Sequence, residues 1–315
     1  MTRTEFEKTP STASRLWTGP RWEAQDLAYL AYIAVILLLL LTLGITSDRV
    51  AHPWRLIGIH LGLAALGLGA RALGRYRSAA ADFLRWWYPL ILVYAFFQSI
   101  GAMIHIIHPE YLDPLMVAAD RLVFGRDLTP WLQSYARPWL TELMYFFYTS
   151  YYFFPVFIGI PLWRRWRRSA SPADSDRFRE FLLAVSLTFW VCYLHFLITP
   201  GGGPVYFEDY PGRLLHLTGG PITAFEQWLF ATGGMEGGAF PSSHVAMALV
   251  SATYAVRFRI APWFFVPAAI GLGISTMYNG YHYGVDVLWG IVVAAVMIWW
   301  VPRLFRGYEV RISGG

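Results

Sequence analysis

The sequence predicts an all-α, polytopic membrane helix bundle of about eight transmembrane helices, and its composition and its long apolar runs support this fold class. The chain has 315 residues, of which 56% are hydrophobic and 14% are charged, whereas soluble domains carry about 25% charged residues. Residues 27–46 form an apolar run without a charge, and such a run is long enough for a helix to cross about 30 Å of hydrocarbon. A disordered chain and a disulfide scaffold are excluded, since Cys192 has no intrachain partner.

Eight apolar stretches, separated by charged or Gly- and Pro-rich segments, are predicted to be the helices. They cover residues 27–46, 56–73, 86–107, 140–163, 181–199, 243–256, 262–279 and 284–301. The first stretch follows a polar segment of 26 residues without a convincing small-residue cleavage site. We therefore expect a retained membrane anchor rather than a signal peptide.

The basic residues predict how the helices are oriented. Sorting the 25 basic residues into loops places six on one side of the membrane and the other 19 on the opposite side. The six are Arg49, Arg55, Arg121, Arg126, Arg137 and Arg213. Because basic residues concentrate in cytoplasmic loops, both termini are predicted to be cytoplasmic. The formal charge of +5 therefore reflects the basic residues of the predicted cytoplasmic loops, and no nucleic-acid partner is expected.

Two outward loops, residues 108–139 and 200–241, are much longer than a minimal connection between helices. The second carries four groups of consecutive glycines, which suit the close approach of backbone to a ligand and equally suit a mobile linker. Glu236 in this loop is a candidate for binding an acceptor hydroxyl, with an ordinary loop acid as the alternative.

The segment Pro241-Ser242-Ser243-His244 leads into the sixth apolar stretch. A helix amino terminus with hydroxyl groups and unsatisfied N–H groups is a suitable anion site. The alternative is a serine that only caps the helix, beside a packed interfacial histidine.

His282 and Asp286 stand four residues apart at the start of the eighth stretch. On a helix they share a face, so that the carboxylate can hold one ring nitrogen and leave the other free to attack. A structural His–Asp hydrogen bond and half of a metal site are the alternatives.

One helical hairpin separates His244 from His282, so the chain returns to the same membrane face and the two histidines can meet. A phosphate between them would have one imidazole to attack phosphorus and another to protonate the leaving oxygen. This chemistry requires no metal.

The motifs Pro241-Ser242-Ser243-His244 and Ser275-x6-His282-x3-Asp286 resemble the second and third signature motifs of the type 2 phosphatidic acid phosphatase superfamily. The resemblance covers mainly residues 200–300. It implies a six-helix phosphatase-type core and metal-independent chemistry without a cofactor. His282 would be the nucleophile, Asp286 would orient it, His244 would be the general acid, and Ser242 and Ser243 would hold phosphate oxygens.

The chain also departs from the family pattern. Thr276 follows Ser275 where the family has an arginine, and the first family motif is absent. These departures make the chain more similar to the inositol phosphorylceramide synthase branch. Other groups must then meet the phosphate charge. Arg213 is the first candidate, with Arg121, Arg126 and Arg137 behind it, and a solvated loop charge is the alternative for each.

The resemblance implies a domain order and a function. We expect a cytoplasmic tail (1–26), two N-terminal transmembrane helices (27–80), a six-helix catalytic core (81–303) and a second cytoplasmic tail (304–315). The expected enzyme takes a phosphoryl group or a phospho-headgroup from a membrane phospholipid or polyprenyl phosphate at the outer leaflet. Water would accept it in a phosphatase, and an inositol-lipid, ceramide or diacylglycerol would accept it in a transferase. A proton-coupled transporter and a noncatalytic lipid-binding protein are the alternatives.

Overall fold

The computed structural model describes residues 22–76, 78–211 and 214–313. Within these ranges the chain is helical and has no β-strand, apart from an isolated bridge between Gly201 and Gly238. The predicted all-α class is therefore confirmed.

Thirteen α-helices, α1 to α13, are formed by the described residues. In chain order they are Ala24–Leu39, Pro53–Ala72, Ala79–Ile91, Val93–Gly101, Asp113–Phe124, Leu128–Gln133, Pro138–Ser150, Phe154–Ser169, Pro172–Ile198, Pro221–Gly233, Ser243–Phe258, Pro262–Tyr278 and Gly284–Ser313. A π-helical turn, Leu40–Gly44, extends α1, and 3-10 turns follow α2 (Leu73–Arg75) and α7 (Tyr151–Phe153).

Each of the eight predicted stretches corresponds to helix, but two are interrupted. The stretch 86–107 is divided into α3 and α4, three residues after Pro89. Proline lacks an N–H and its ring crowds the turn before it, whereas the break follows Pro89, so this proline does not account for the break. The stretch 140–163 consists of α7, the 3-10 turn and α8. The two long loops, for which no helix was predicted, contain α5, α6 and α10.

Five helical segments in the described part of the chain are long and apolar enough to cross a membrane. They are Ala24–Gly44, Pro53–Arg75, Pro138–Ser169, Pro172–Ile198 and Gly284–Val310. The apolar helix α12 is shorter. These segments identify an integral membrane protein, while eight crossings and the orientation of the termini stay predictions.

Helix α9 forms the centre of the bundle and contacts α8, α11 and α13. Consecutive residues from Phe181 to Val185 are fully buried, so every face of this helix is covered. A helix that is apolar all round is typical of the core of a large bundle. On α13, Trp289, Val292 and Val296 point away from the protein, as expected for a surface in contact with lipid.

Buried ion pairs join the N-terminal helices to the bundle. Both terminal nitrogens of Arg85 donate to the carboxylate of Asp26, at 2.8 and 2.6 Å, and the hydroxyl of Tyr88 donates to the same carboxylate. Arg179 pairs with Glu23 and Glu309. These contacts hold α1, α3, α9 and α13 together at one end of the molecule.

Candidate active site

The hairpin of α11 and α12 brings the two predicted histidines together. Ser242 caps α11 by accepting a hydrogen bond from the N–H of Val245 at 3.3 Å, and His244 follows in the first turn. His282 lies in the turn between α12 and α13. Nδ1 of His244 lies 3.2 Å from Nε2 of His282, so the expected meeting of the two rings is present.

The structure corrects one detail of the His282–Asp286 pair. The two residues do not share a helix face, because His282 precedes the first residue of α13, Gly284. Asp286 instead points back across the turn, where its Oδ2 accepts the N–H of Tyr283 at 2.8 Å and lies 3.5 Å from Nδ1 of His282. Asp286 is fully buried, and its backbone carbonyl accepts the N–H of Ser242.

The carbonyl oxygen of Ala239 is the shorter partner of the His282 ring, at 2.8 Å from Nδ1. A carbonyl only accepts, so Nδ1 carries the proton and Nε2 of the neutral ring keeps its lone pair. His244 then donates from Nδ1 to that nitrogen, and its own Nε2 accepts from the hydroxyl of Tyr148 at 2.9 Å. The result is a directed chain from Tyr148 through both histidines to Ala239.

A cavity of about 630 Å³ lies beside the histidine pair. Its polar wall includes Glu226, Ser243, His244 and His282. Apolar and aromatic side chains from α3, α4, α8 and α9 form much of the remainder, among them Phe83, Trp87, Phe97, Ile160 and Phe189. A mostly apolar cavity with a few convergent polar groups is typical of a small-molecule or lipid site.

The predicted phosphate-binding residues have different positions. Ser243 lines the cavity, whereas the hydroxyl of Ser242 caps its own helix. Arg213 lies outside the described residues. The other three arginine candidates have partners outside the cavity. Arg121 forms an ion pair with Asp127, Arg137 donates a hydrogen bond to the carbonyl of Ala136, and Arg126 lies over the ring of Trp131. No Lys or Arg occurs among the described residues that line the cavity.

Glu226 is the cavity residue that the sequence analysis missed. It lies on α10, is 1% exposed, and accepts hydrogen bonds from Thr149 at 2.9 Å and Tyr152 at 3.1 Å. Burial raises the pKa of Glu226 above its usual range, and the two hydrogen bonds lower it in part. The sequence does contain a signal for this residue, because Glu226 is the single charged residue of the otherwise uncharged helix α10. Glu236, considered instead, is exposed and does not line the cavity.

Two buried carboxylates of α5, also missed, position the backbone around the site. Asp113 accepts the N–H groups of Gly202 and Gly203 and the hydroxyl of Tyr283. Gly203 has φ +86° and lies so close to the carbonyl of Tyr281 that a Cβ would be 2.4 Å from its oxygen. The signal here was spacing, because Asp113 and Asp120 stand seven residues apart and therefore share a helix face.

The carboxylates of Asp120 and Glu142 each accept backbone N–H groups at the start of a helix. Asp120 accepts the N–H groups of Gly284 and Val285 at the start of α13. Glu142 accepts those of Gly220, Ile222 and Thr223 at the start of α10. Negative side chains satisfy the unpaired N–H groups and the dipole of a helix amino terminus. They fix the helices that carry Asp286 and Glu226.

The sequence model of the PAP2 superfamily matches residues 115–300, which include the histidine pair, Asp286 and Glu226. The chain belongs to the PAP2 superfamily. Family membership and the membrane-spanning helices together support a membrane phosphatase-type function for this PAP2 protein.

One curated relative is a PA-phosphatase related-family protein of Dictyostelium discoideum, 29% identical over 167 residues. The alignment covers 47% of this PAP2 chain and 29% of the relative, so the chain spans about three tenths of that protein's length. No solved structure matches. Neither comparison identifies the inositol phosphorylceramide synthase branch, which stays a prediction.

Proposed function

We propose that this PAP2 protein is an integral membrane lipid phosphatase or phosphotransferase that forms a phosphohistidine on His282. The observation that carries the proposal is the hydrogen-bond direction at His282. Its Nδ1–H is held by Ala239, and the lone pair of Nε2 faces the Nδ1–H of His244 at 3.2 Å. A nucleophile and a proton donor thus meet at one edge of the cavity.

The first half-reaction begins when the substrate phosphate enters between the two rings. Nε2 of His282 forms a bond to phosphorus as the bond from phosphorus to the leaving oxygen breaks, and the electron pair of that bond remains with the oxygen. His244, which binds the phosphate as an imidazolium, transfers its Nδ1 proton to this oxygen and becomes a neutral ring. Tyr148 holds the opposite nitrogen of His244 and so keeps the donating edge turned toward the phosphate.

In the second half-reaction, the oxygen of water or of an alcohol attacks the phosphorus. His244, now unprotonated at Nδ1, takes the proton of the attacking hydroxyl, and the N–P bond breaks. The phosphorylated imidazole carries positive charge, which the carbonyl of Ala239 and the carboxylate of Asp286 stabilise from the Nδ1 side. We assign Asp286 this supporting role.

The phosphate oxygens are proposed to lie against the amino terminus of α11, where the helix dipole favours negative charge. Ser243, at this end of the cavity, is the proposed hydroxyl donor, and Ser242 supports it by capping the helix. Arg213 stays the proposed cation. An Arg213→Gln variant with unchanged turnover would remove it from the site.

Transfer to an alcohol is the second candidate activity, and the observation that favours it is Thr276. This residue replaces the arginine of the family motif, is fully buried, and donates its hydroxyl to the carbonyl of Gly273. The departure supports similarity to inositol phosphorylceramide synthase. Acceptance by an inositol-lipid, ceramide or diacylglycerol would produce a new phospholipid, whereas acceptance by water would release a water-soluble phosphate.

The test uses purified protein in detergent with EDTA and a mixture of phosphatidate, a prenyl diphosphate and phosphatidylinositol, with ceramide or diacylglycerol as acceptor. We expect turnover that resists EDTA, is lost in His282→Ala and survives in His52→Ala, a matched change at an exposed histidine of another loop. Acid-labile, alkali-stable phosphate on the wild-type protein would identify the intermediate. Equal turnover in His282→Ala would reject the mechanism, and absence of turnover would favour a lipid-binding protein or a transporter.

We further propose that the site faces the extracytoplasmic side and that both termini are cytoplasmic, which the distribution of basic residues supports. Single cysteines introduced as His216→Cys and Arg168→Cys test this orientation in intact cells. A membrane-impermeant maleimide should label the first and spare the second. The reverse pattern would invert the topology.

A further inference from the structure

The mechanism above makes no use of the carboxylate of Glu226, although it is part of the cavity wall. This side chain is 1% exposed, and its two oxygens accept one hydroxyl each, from Thr149 and Tyr152. A buried carboxylate with only neutral partners is costly to ionise. A ligand with a positive group would compensate for that cost directly.

Aromatic rings surround the same part of the cavity. The ring centres of Tyr151 and Tyr152 are 4.3 Å apart, those of Tyr148 and Tyr281 are 4.9 Å apart, and Phe230 stacks on Tyr281 at 4.4 Å. The faces of tyrosine rings attract cations, and clusters of such rings bind ammonium groups that carry methyl substituents. The combination of a carboxylate and tyrosine rings is therefore suited to an organic ammonium ion.

The cation subsite lies close to the proposed position of the phosphate. The ring of Tyr151 is centred 4.5 Å from the ring of His244 and contacts the ring of Tyr152, whose hydroxyl bonds to Glu226. The rings of Tyr151 and Tyr152 thus connect the histidine pair to the carboxylate subsite. The phosphate and the ammonium group of one headgroup would bind at these neighbouring parts of the cavity wall.

The charges of the cavity favour the same class of ligand. The described lining contains Glu226 and no Lys or Arg, so, apart from the proposed Arg213, the charge of this cavity favours a ligand that carries a positive group. A phosphodiester carries one negative charge, and an attached ammonium group balances it. Such a zwitterion places its positive end at the carboxylate and its negative end at the amino terminus of α11.

We propose that the donor is a zwitterionic glycerophospholipid whose ammonium or trimethylammonium group binds at Glu226, between Tyr148, Tyr151 and Tyr152. The inference rests on the proposed function and names its substrate class. His282 bonds to phosphorus as the bond from phosphorus to the diacylglycerol oxygen breaks, and His244 protonates that oxygen. The headgroup stays on phosphorus, held at Glu226, until water or an alcohol accepts it.

The apolar part of the cavity provides a place for the acyl chains of this donor. Phe83, Trp87, Phe97 and Phe189 extend the cavity along α3, α4 and α9, away from the histidines. Diacylglycerol, the proposed leaving group, would remain in contact with these side chains while the headgroup is turned over.

The experiment compares dihexanoyl phosphatidylcholine, phosphatidylethanolamine, phosphatidylinositol and phosphatidate in dodecyl maltoside with EDTA. Released diacylglycerol is measured, because every donor yields it. We expect kcat/KM for the two zwitterionic donors to exceed that for the other two by about tenfold or more. Glu226→Gln, which keeps the side-chain shape, should lower the zwitterionic values by about tenfold and change the phosphatidylinositol value by less than about twofold.

Two control variants separate the headgroup effect from general damage. Glu236→Gln removes an exposed carboxylate of the neighbouring loop and should leave all four donors unchanged. Tyr152→Phe keeps the ring and removes one hydrogen bond to Glu226, so it should cost less than Glu226→Gln. Elution of each variant as a single peak in size-exclusion chromatography establishes that it is folded.

The outcomes separate this inference from the proposed function. Diacylglycerol released fastest from phosphatidate or phosphatidylinositol, and lost in His282→Ala, would overturn the headgroup assignment and leave the mechanism standing. Diacylglycerol from no donor would count against the mechanism for these lipids. The headgroup assignment is then decided by calorimetric binding of dihexanoyl phosphatidylcholine to His282→Ala protein. Equal affinity in a His282→Ala, Glu226→Gln double variant would overturn it, and a loss of about tenfold would support it.

Discussion

The two ends of the bundle use charge in opposite ways. At one end, arginines are buried directly against carboxylates, as in the pair of Arg85 and Asp26, whose side chains are each 3% exposed. At the other end, His244 and His282 bond to each other and to neutral oxygens, and the buried Asp113 and Asp120 accept backbone N–H groups. The first arrangement joins helices by pairing opposite charges, and the second positions backbone and histidines around a cavity by hydrogen bonds to N–H groups and neutral oxygens.

The largest effect is expected at the cavity end. His282→Ala should lower kcat by at least about a thousandfold, because it removes the group that attacks phosphorus. The protein should remain folded, since the polar partners described for the ring are a carbonyl, Asp286 and the other histidine. Product formation under EDTA and thermal unfolding are measured on the same sample. A large loss of stability together with activity would assign His282 to the architecture instead.

At the end of the bundle that holds Arg85 and Asp26, a substitution should lower stability and leave turnover unchanged. Arg85→Ala leaves Asp26 buried without its cation and should destabilise the protein by about 3 kcal/mol or more. Turnover per folded molecule should stay near the wild-type value, because neither Arg85 nor Asp26 lines the cavity. Unfolding in detergent and activity after removal of aggregates give the two values. An Asp26→Asn, Arg85→Met double variant should recover part of the lost stability.

A smaller effect is expected for the residue that holds the proton donor. Tyr148→Phe removes the hydroxyl that lies 2.9 Å from Nε2 of His244 but keeps the ring. We expect kcat to fall by about tenfold with little change in stability, since one neutral hydrogen bond contributes about 1 kcal/mol. Steady-state kinetics measure this effect. Tyr135→Phe, at an exposed tyrosine of the segment 108–139, is the matched control.

The smallest effect concerns a partly exposed ion pair beside Asp120, at the cavity end. Arg121 is half exposed and pairs with Asp127 in the segment 108–139. Arg121→Gln should change stability by less than about 1 kcal/mol and leave turnover unchanged, because exposed pairs contribute little. Thermal unfolding and the same kinetic assay provide the check. A marked loss of turnover would return Arg121 to the list of phosphate-binding candidates.

The helices and the meeting of the histidines were predictable because both depend on local information. Apolar length identifies a helix, and a hairpin between His244 and His282 requires them to return to one face. The division of the stretch 86–107 at Leu92 was not predictable from Pro89, because α3 includes this proline and ends after it. Thr276, read as a departure from the family motif, is indeed a buried residue beside the site.

The remaining site residues depend on contacts between segments that are distant in sequence. Glu226 reaches the cavity only because α10 packs against α7, where it meets Thr149. The partner of His282 at 2.8 Å is the backbone carbonyl of Ala239, and a carbonyl leaves no residue-type signature. The seven-residue spacing of Asp113 and Asp120 was visible, but the N–H groups that they accept lie on segments far along the chain.

The contact between the two histidines covers the attacking nitrogen. Nδ1 of His244 lies 3.2 Å from Nε2 of His282, so the hydrogen of the proton donor occupies the lone pair of the nucleophile. A ligand must separate the rings before either can react, and inorganic phosphate has no alkyl chain whose burial would offset the lost hydrogen bond. Small soluble phosphates should therefore be poor inhibitors. Binding of the lipid tail would supply the free energy that separates the rings and exposes the nucleophile.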